Sequence, residues 1–148
     1  MPPNSTKTLK EIATIRKVQR IGAEARAAQA SLELQEKDSA LSEKEQLRQA
    51  TKEGWSAAVT SGQYQAETVP SWSAALIQDE DAVRHGGEER DAAATRLSQL
   101  RVEWNVATTR YEEAEELTRA AIRGVLRCRD EKMLQEASDT HSLRWYRR

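Results

Sequence analysis

Large apolar side chains are scarce in this chain of 148 residues. It has no Phe, and only 24 residues are Leu, Ile or Val. So small an apolar content cannot fill the core of a thick globular domain. It can line a seam between two helices, where the small side chain of Ala lets the backbones approach closely. The composition therefore predicts a narrow, elongated fold rather than a sheet-based enzyme domain.

Residues that carry redox, metal and nucleophilic chemistry are also few. Cys128 is the only cysteine, which excludes a disulfide within the chain and a cysteine metal cluster. His85 and His141 fit neither a metal-ligand spacing nor a Ser/His/Asp arrangement. The pair Gly86-Gly87 is not followed by the Lys-Ser/Thr of a phosphate-binding loop. We expect a protein without enzymatic activity, cofactor or metal, in which Cys128 is a packed structural thiol at a helical seam position.

Long hydrophobic segments are absent as well. The longest unbroken apolar run, residues 74–77, is far shorter than the roughly 20 residues of a membrane-spanning helix. No N-terminal segment resembles a signal peptide. These features predict a cytoplasmic protein that does not insert into a membrane.

The chain is rich in the residues of long helices, because Ala, Glu, Lys, Leu and Arg account for 75 of its 148 positions. The strongest helical signal lies in the C-terminal half, where ten positions recur at alternating intervals of three and four residues. They are Leu97, Leu100, Trp104, Ala107, Tyr111, Ala114, Thr118, Ala121, Val125 and Cys128. The register extends back to Trp72 but weakens at Gly86-Gly87, where each helical glycine costs about 1 kcal/mol relative to Ala. The sequence leaves open a kink or a local break there.

The N-terminal half carries two candidate seams. One has coiled-coil spacing over residues 18–32 and then fades; its members are Val18, Ile21, Ala25, Ala28 and Leu32. A neighbouring stripe includes Ala27, Ala30, Leu34, Leu41 and Trp55, with Lys37, Lys44 and Arg48 at intermediate positions. The spacing favours the first stripe as the initial seam, followed by a register shift or a loosened, partly polar stretch.

Local signals divide the chain into segments. Thr8-Leu9-Lys10-Glu11 is typical of a capping box, so residues 1–8 are predicted to be a flexible tail and helix 1 to cover about 9–59. Gly, Ser and Pro mark a turn over about 60–70, and helix 2 is predicted over about 70–137, followed by a basic aromatic tail at 138–148. A connection of about ten residues favours an all-α, antiparallel two-helix coiled-coil hairpin. A parallel homodimer is the rival arrangement.

The net charge of −1 hides an uneven distribution. Residues 1–26 and residues 119–148 each carry +4, whereas residues 27–118 carry −9. In an antiparallel hairpin the two positive segments meet at one open end, which would attract a negative partner surface. Basic residues at a helix C-terminus also complement the helix dipole, but that explanation does not fit the basic start of helix 1. The acidic middle and the isoelectric point near 6.2 argue against nucleic-acid binding.

Aromatic residues mark two further candidate contacts. Trp72 stands four residues before Leu76, just past the predicted turn, and either caps the seam or anchors a partner. The C-terminal run Leu143-Arg144-Trp145-Tyr146-Arg147-Arg148 mixes aromatic and basic residues, and we expect it to be disordered in isolation.

With these features in place, the whole chain resembles the family of the flagellar export protein FliJ and its type III injectisome counterpart YscO. The likeness lies in the length and in two unequal helices around a mid-chain turn. It also lies in the opening of helix 1 from Leu9 to Lys17, in Tyr111-Glu112-Glu113-Ala114 and in Arg129-Asp130-Glu131-Lys132-Met133. Members of this family are small coiled-coil hairpins that work with the export ATPase.

The resemblance implies a non-enzymatic component of a type III export apparatus, peripheral at the inner membrane. Its terminal end would be the central stalk in the pore of a hexameric export ATPase ring. It would also contact the cytoplasmic domain of the export gate and secretion chaperones. The implied ATPase-binding residues are the basic ones at the open end: Lys10, Arg16, Lys17, Arg20, Arg119, Arg123 and Arg127. Trp72 and Leu76 match the family's gate-binding positions. The alternative, based on the heptads alone, is a generic homo-oligomeric coiled-coil scaffold or tether.

Overall fold

The fold is an all-α hairpin of two helices packed against each other, as the sequence predicts. The computed structural model describes the backbone of residues 3–62 and 65–145, and the side chains of residues 5–62 and 65–141. Helix α1 spans Pro3–Thr60, a 3₁₀ turn spans Ala66–Thr68, and helix α2 spans Val69–Trp145. No helix in the described part of the chain is long and apolar enough to cross a membrane.

Both helices extend further than the local sequence signals predict. Helix α1 begins at Pro3 instead of Leu9, so residues 3–8 are helical rather than a flexible tail. Proline suits the first turn, because its missing N–H would have no intrahelical partner there. Helix α2 continues to Trp145, through most of the predicted C-terminal tail. Residues 1–2 and 146–148 of the two predicted tails lie outside the described residues.

The turn lies where the sequence predicts it. Gly62 has a φ of +69°, in the left-handed region that glycine adopts without steric cost. Thr68 closes the 3₁₀ turn, because its backbone N–H and its hydroxyl both donate to the carbonyl of Gln65, at 2.9 and 2.8 Å. Helix α2 begins at Val69, within one residue of the predicted start. Residues 63–64 of the turn lie outside the described part.

Contacts divide the chain into two compact units, and each unit holds a segment of both helices. The first unit comprises residues 1–23 and 104–148, and the second comprises residues 24–103. In the second unit, ion pairs show that the helices run antiparallel, because positions that rise along α1 meet positions that fall along α2. The pairs include Glu33–Arg96 at 3.3 Å, Asp38–Arg90 at 2.9 Å and Arg48–Glu80 at 3.3 Å.

The seam of α1 is the second candidate stripe, and the prediction of the first is wrong. Ala23, Ala27 and Ala30 are buried, and Leu34, Leu41 and Trp55 are half-buried. The residues of the first stripe, Val18, Ile21, Ala25, Ala28 and Leu32, are all exposed. Apart from the exposed Lys37, the covered positions keep one four-three spacing from Leu9 to Ala58, so the described residues show no register shift. Small alanine side chains let the two backbones approach closely, which is a physical reason for the alanine stripe to face inward.

The predicted register of α2 is confirmed from Leu97 to Ala121. Every one of these eight positions is buried or half-buried. Val125 and Cys128, the last two positions of the register, are exposed, so the prediction that Cys128 is a packed thiol is wrong. The reason is that α1 is too short. In the first unit Thr118 lies 3.3 Å from the carbonyl of Leu9, which leaves about a turn and a half of α1 to cover the rest of α2.

Helix α2 is continuous through Gly86-Gly87, so the local break that the sequence left open is not present. Gly86 is buried, and a Cβ added there would lie 3.2 Å from Cδ1 of Leu41 and 3.2 Å from Cδ of Lys44. A Cβ added at Gly87 would meet nothing within 4 Å. Of these two glycines, Gly86 and not Gly87 serves the close approach of the helices.

Replacing Leu97, which is 5% exposed, by Ala should lower the free energy of unfolding by about 2 to 4 kcal/mol, because it leaves a cavity in the seam. The same change at Leu32, which is 60% exposed, should alter it by less than about 0.5 kcal/mol. Urea unfolding followed by circular dichroism measures both values. Equal losses would contradict the assignment of the α1 seam.

Gly87→Ala should raise the free energy of unfolding by about 1 kcal/mol, because Ala is the better helix former and the site is open. Gly86→Ala should gain less, since Leu41 and Lys44 must shift to admit the methyl group. The same urea titration compares the two variants. A larger gain at Gly86 than at Gly87 would show that the helices do not approach closely there.

Candidate functional site

The basic residues predicted for the open end all belong to the first unit. This unit contains fourteen basic and nine acidic residues, a net +5, whereas the second unit has a net charge of −6. The charge asymmetry of the sequence therefore follows the boundary between the units. The seven predicted residues differ, however, in how much of their charge a partner could reach.

Arg20 occupies a seam position and contacts α2. Its guanidinium carbon lies 5.1 Å from the centroid of the Tyr111 ring, a cation–π contact. Its Nε is buried and has no hydrogen-bond partner among the described residues. Arg20 therefore stabilises the helix pairing, and only part of its surface is available to a partner.

Arg119 is held by a network on α2. Its guanidinium donates to Oε2 of Glu115 at 2.8 Å, and the hydroxyl of Tyr111 donates to Oε1 of the same carboxylate at 2.6 Å. The hydrogen bond to Glu115, with a smaller contribution from burial, raises the pKa of Tyr111 above its ordinary value. Because Glu115 compensates its charge, Arg119 is a weaker candidate for binding an acidic partner.

The remaining predicted residues are more accessible. Arg16 lies half-buried at a seam position and donates to Oε1 of Gln19 at 3.0 Å. Lys10, Lys17, Arg123 and Arg127 are exposed. In the part of the chain whose side chains the structure describes, no acidic group lies within ion-pair distance of these four. They are the residues whose full charge faces solvent.

The end of α2 projects beyond the start of α1. Every residue from 122 to 141 is exposed, and the segment mixes apolar side chains such as Leu126 and Met133 with basic ones. A shallow groove on this segment is lined in part by Val125, Arg129 and Lys132. The sequence prediction omitted Arg129 and Lys132. The signal that could have found them is the unequal length of the two predicted helices, because the longer helix 2 must extend past the start of helix 1. We refer to residues 122–141 as the projecting segment.

The two residues predicted for the export gate lie in the second unit, next to the turn. Trp72 is half-buried, with its ring centroid 5.9 Å from that of Trp55 and the ring planes inclined by 47°. A Cβ at Gly54 would lie 3.1 Å from the six-membered ring of Trp72, so this ring packs closely against α1 at Gly54. Leu76 is also half-buried. Trp72 therefore caps the seam, and the gate contact stays a prediction for the surface that these side chains leave exposed.

Among the described residues, no group of three or more His, Cys, Asp or Glu side chains could hold a metal ion. His85 is exposed, with Nδ1 3.4 Å from Glu88, one turn further along the helix. Because His85 is exposed, it does not lie in a pocket that excludes water from a reacting group.

No protein-family model, no curated protein and no solved structure matches this chain. The resemblance to the FliJ and YscO family therefore stays a prediction. The structure itself shows a unit with net positive charge, from which a partly apolar segment of α2 projects.

Glu115→Gln should lower the pKa of Tyr111 towards the ordinary value of about 10, because the carboxylate that favours the protonated phenol is lost. With the pKa raised in the folded state, this interaction stabilises the fold fully below about pH 10, and the contribution is lost as the pH rises through the folded-state pKa. Ultraviolet titration of tyrosinate measures the shift, in a background of Tyr64→Phe and Tyr146→Phe so that only Tyr111 responds. An unchanged pKa would contradict the hydrogen bond.

Proposed function

We propose that this protein is a non-enzymatic component of a type III export apparatus that binds the export ATPase ring as a central stalk. The observation that carries the proposal is the projecting segment of a unit with net charge +5, which α1 does not cover in the part of the chain that the structure describes. The resemblance to the FliJ and YscO family supplies the class of partner. The proposed location is the cytoplasm, at the periphery of the inner-membrane export apparatus.

The projecting segment has the dimensions and chemistry of a docking helix. Twenty helical residues extend over about 30 Å. Most of the stability of a helix in a protein comes from packing of its amphipathic face, so a partner surface that covers the segment would stabilise it. Ile122, Leu126 and Met133 fall on one side at intervals of four and seven residues, with exposed fractions of 36, 51 and 57%. A partner that covered this side would gain the hydrophobic contribution of three partly exposed side chains.

The charge of the first unit would bring the segment to its partner. Arg123, Arg127 and Arg129 lie in the projecting segment, and Lys10 and Lys17 lie on α1 in the same unit. A ring pore lined by acidic residues would attract such a surface over about one Debye length, roughly 8 Å at physiological salt. We therefore propose that the basic charge guides entry and that the apolar stripe provides much of the affinity.

The second unit supplies the proposed link to the rest of the apparatus. Trp72 and Leu76 lie beside the turn and leave part of their surface exposed. We propose that this surface contacts the cytoplasmic domain of the export gate, and that secretion chaperones bind the same protein. Neither contact requires nucleic acid or insertion into a membrane.

A generic homo-oligomeric scaffold is the alternative function. The observation that favours it is the set of exposed apolar residues on α1, which includes Val18 at 65% and Leu32 at 60%. Sedimentation velocity distinguishes the two functions, because the stalk proposal requires a monomeric chain. A stable dimer at micromolar concentration would support the scaffold.

Replacing Arg123, Arg127 and Arg129 together by Glu should weaken binding to the export ATPase at least tenfold and remove any stimulation of ATP turnover, because the guiding charge is reversed. The measurements are ATP turnover and co-elution on a sizing column, with stoichiometric protein at low and moderate salt. The wild-type interaction should weaken as the salt concentration rises.

The matched control replaces Lys52, Arg84 and Arg101 by Glu. These three residues are exposed in the second unit and produce the same change in net charge. The control protein should bind and stimulate the ATPase like the wild type. Equal loss in both variants would reduce the effect to overall charge, and absence of binding by the wild type would refute the stalk proposal.

A further inference from the structure

The seam of the second unit is interrupted where a basic residue stands at a seam position on each helix. Lys37 keeps the seam spacing of α1 and Arg90 keeps that of α2, yet both side chains are exposed. Their neighbours are exposed as well, since no residue of 35–39 or of 88–92 is covered. Ion pairs join these two segments, so they lie at the same level of the hairpin.

Two crossed ion pairs span the interruption. Nζ of Lys37 donates to Oε2 of Glu89 at 2.9 Å, and Nε of Arg90 donates to Oδ1 of Asp38 at 2.9 Å. Each basic side chain therefore reaches a carboxylate of the other helix. The four side chains are 44 to 53% exposed, so the pairs contribute little to the free energy of folding.

Towards the turn, the seam continues with polar side chains. Lys44 and Arg48 are half-buried at successive α1 seam positions. At the next position, the hydroxyl of Thr51 donates to Oδ2 of Asp79 on α2 at 2.6 Å. Polar side chains at seam positions specify the register of two helices at a cost in stability.

Little apolar surface is covered in this part of the hairpin. Within residues 37–51 of α1 and 79–90 of α2, the large apolar side chains that are at least half-buried are Leu41 and Val83. Gly86 and Gly87 add no side chain, and glycine also weakens the helix itself. We refer to residues 37–51 and 79–90 together as the polar stretch.

The seam is better packed on both sides of the polar stretch. On one side, Ala27, Ala30 and Leu97 are buried. On the other side, the rings of Trp55 and Trp72 have their centroids 5.9 Å apart. Segments with few buried apolar contacts open at a lower free energy than the rest of a structure. The weakest part of the seam in this unit therefore lies between two stronger contacts.

We propose that the polar stretch is an opening point of the hairpin, at which α1 and α2 separate while the seam on either side stays closed. Opening breaks the contacts of Leu41 and Val83 and a few exposed ion pairs, and it leaves the two tryptophans in contact. It loosens the connection between the turn and the buried alanines of the same unit. The proposal goes beyond the stalk function and does not depend on the ATPase or gate contacts.

Amide hydrogen exchange of the full chain, followed by mass spectrometry of peptic peptides, tests the proposal. Helices in proteins owe most of their stability to packing, so the separated segments should unfold locally and exchange. Amides of the polar stretch should exchange roughly tenfold faster, or more, than those of residues 24–34 and 93–103.

Lys37→Leu combined with Arg90→Leu should close the interruption, because apolar side chains then occupy both seam positions. Exchange in the polar stretch should slow by roughly tenfold. The matched control is Arg84→Leu combined with Arg101→Leu, which makes the same change in charge and apolar content at exposed positions of the same unit. The control should exchange like the wild type.

Three results would overturn the proposal. Equal exchange rates across residues 24–103 of the wild type would show that this unit opens only as a whole. Unchanged exchange in the Lys37 and Arg90 double variant would show that the interruption does not control opening. Equal slowing in the control would assign the effect to composition instead of the seam. None of these results bears on ATPase binding, so the two proposals can fail separately.

Discussion

The packing of an alanine-rich seam on α1 against the seam of α2 is the contact on which the other features depend. Ala27 and Ala30 are buried in the same unit as Leu97, and Ala23 is buried in the same unit as Ala114 and Ala121. Small side chains let the helix backbones approach, so a chain with few large apolar residues can still cover a continuous seam. Once alanine takes the inward face, the Ile and Val residues of α1 are left outside. The exposure of these side chains is therefore a consequence of the packing of α1 against α2.

Polar groups in the second unit support the antiparallel arrangement without contributing much stability. Lys37 donates to Glu89 at 2.9 Å, which lowers the pKa of that carboxyl, and Asp38 raises the pKa of Arg90. These groups are solvent-exposed, so each pair contributes little to the free energy of folding. Their main effect is to specify the register in which the two helices pair, because a shifted register would separate the opposite charges or bring like charges together. Gly86 lies in the same stretch and gives Lys44 the space to cross the seam.

The sequence was sufficient to predict the fold, the turn and most of the α2 register, because each depends on spacing within one helix. The choice between the two α1 stripes could not be made in this way, since Val18, Ile21 and Leu32 give the stronger hydrophobic pattern and lie outside. That choice depends on how closely the two helices approach each other, which is a property of the pair and not of one helix. The spacing within α2 places Cys128 at a seam position. The thiol is nevertheless exposed, because α1 does not extend far enough to cover it.

The predicted binding residues fall into two groups: those that the fold itself uses and those whose charge is left unpaired. Charge alone identified the basic unit, but it could not separate arginines used within the fold from those left for a partner. Arg20 contacts Tyr111 and Arg119 pairs with Glu115, whereas Arg123 and Arg127 form no ion pair among the described side chains. A basic residue opposite an aromatic seam position contributes first to the helix pairing, and its charge is partly screened by the ring and by the neighbouring helix. The basic charge that the fold itself does not use therefore lies mainly where α1 does not cover α2, in the projecting segment.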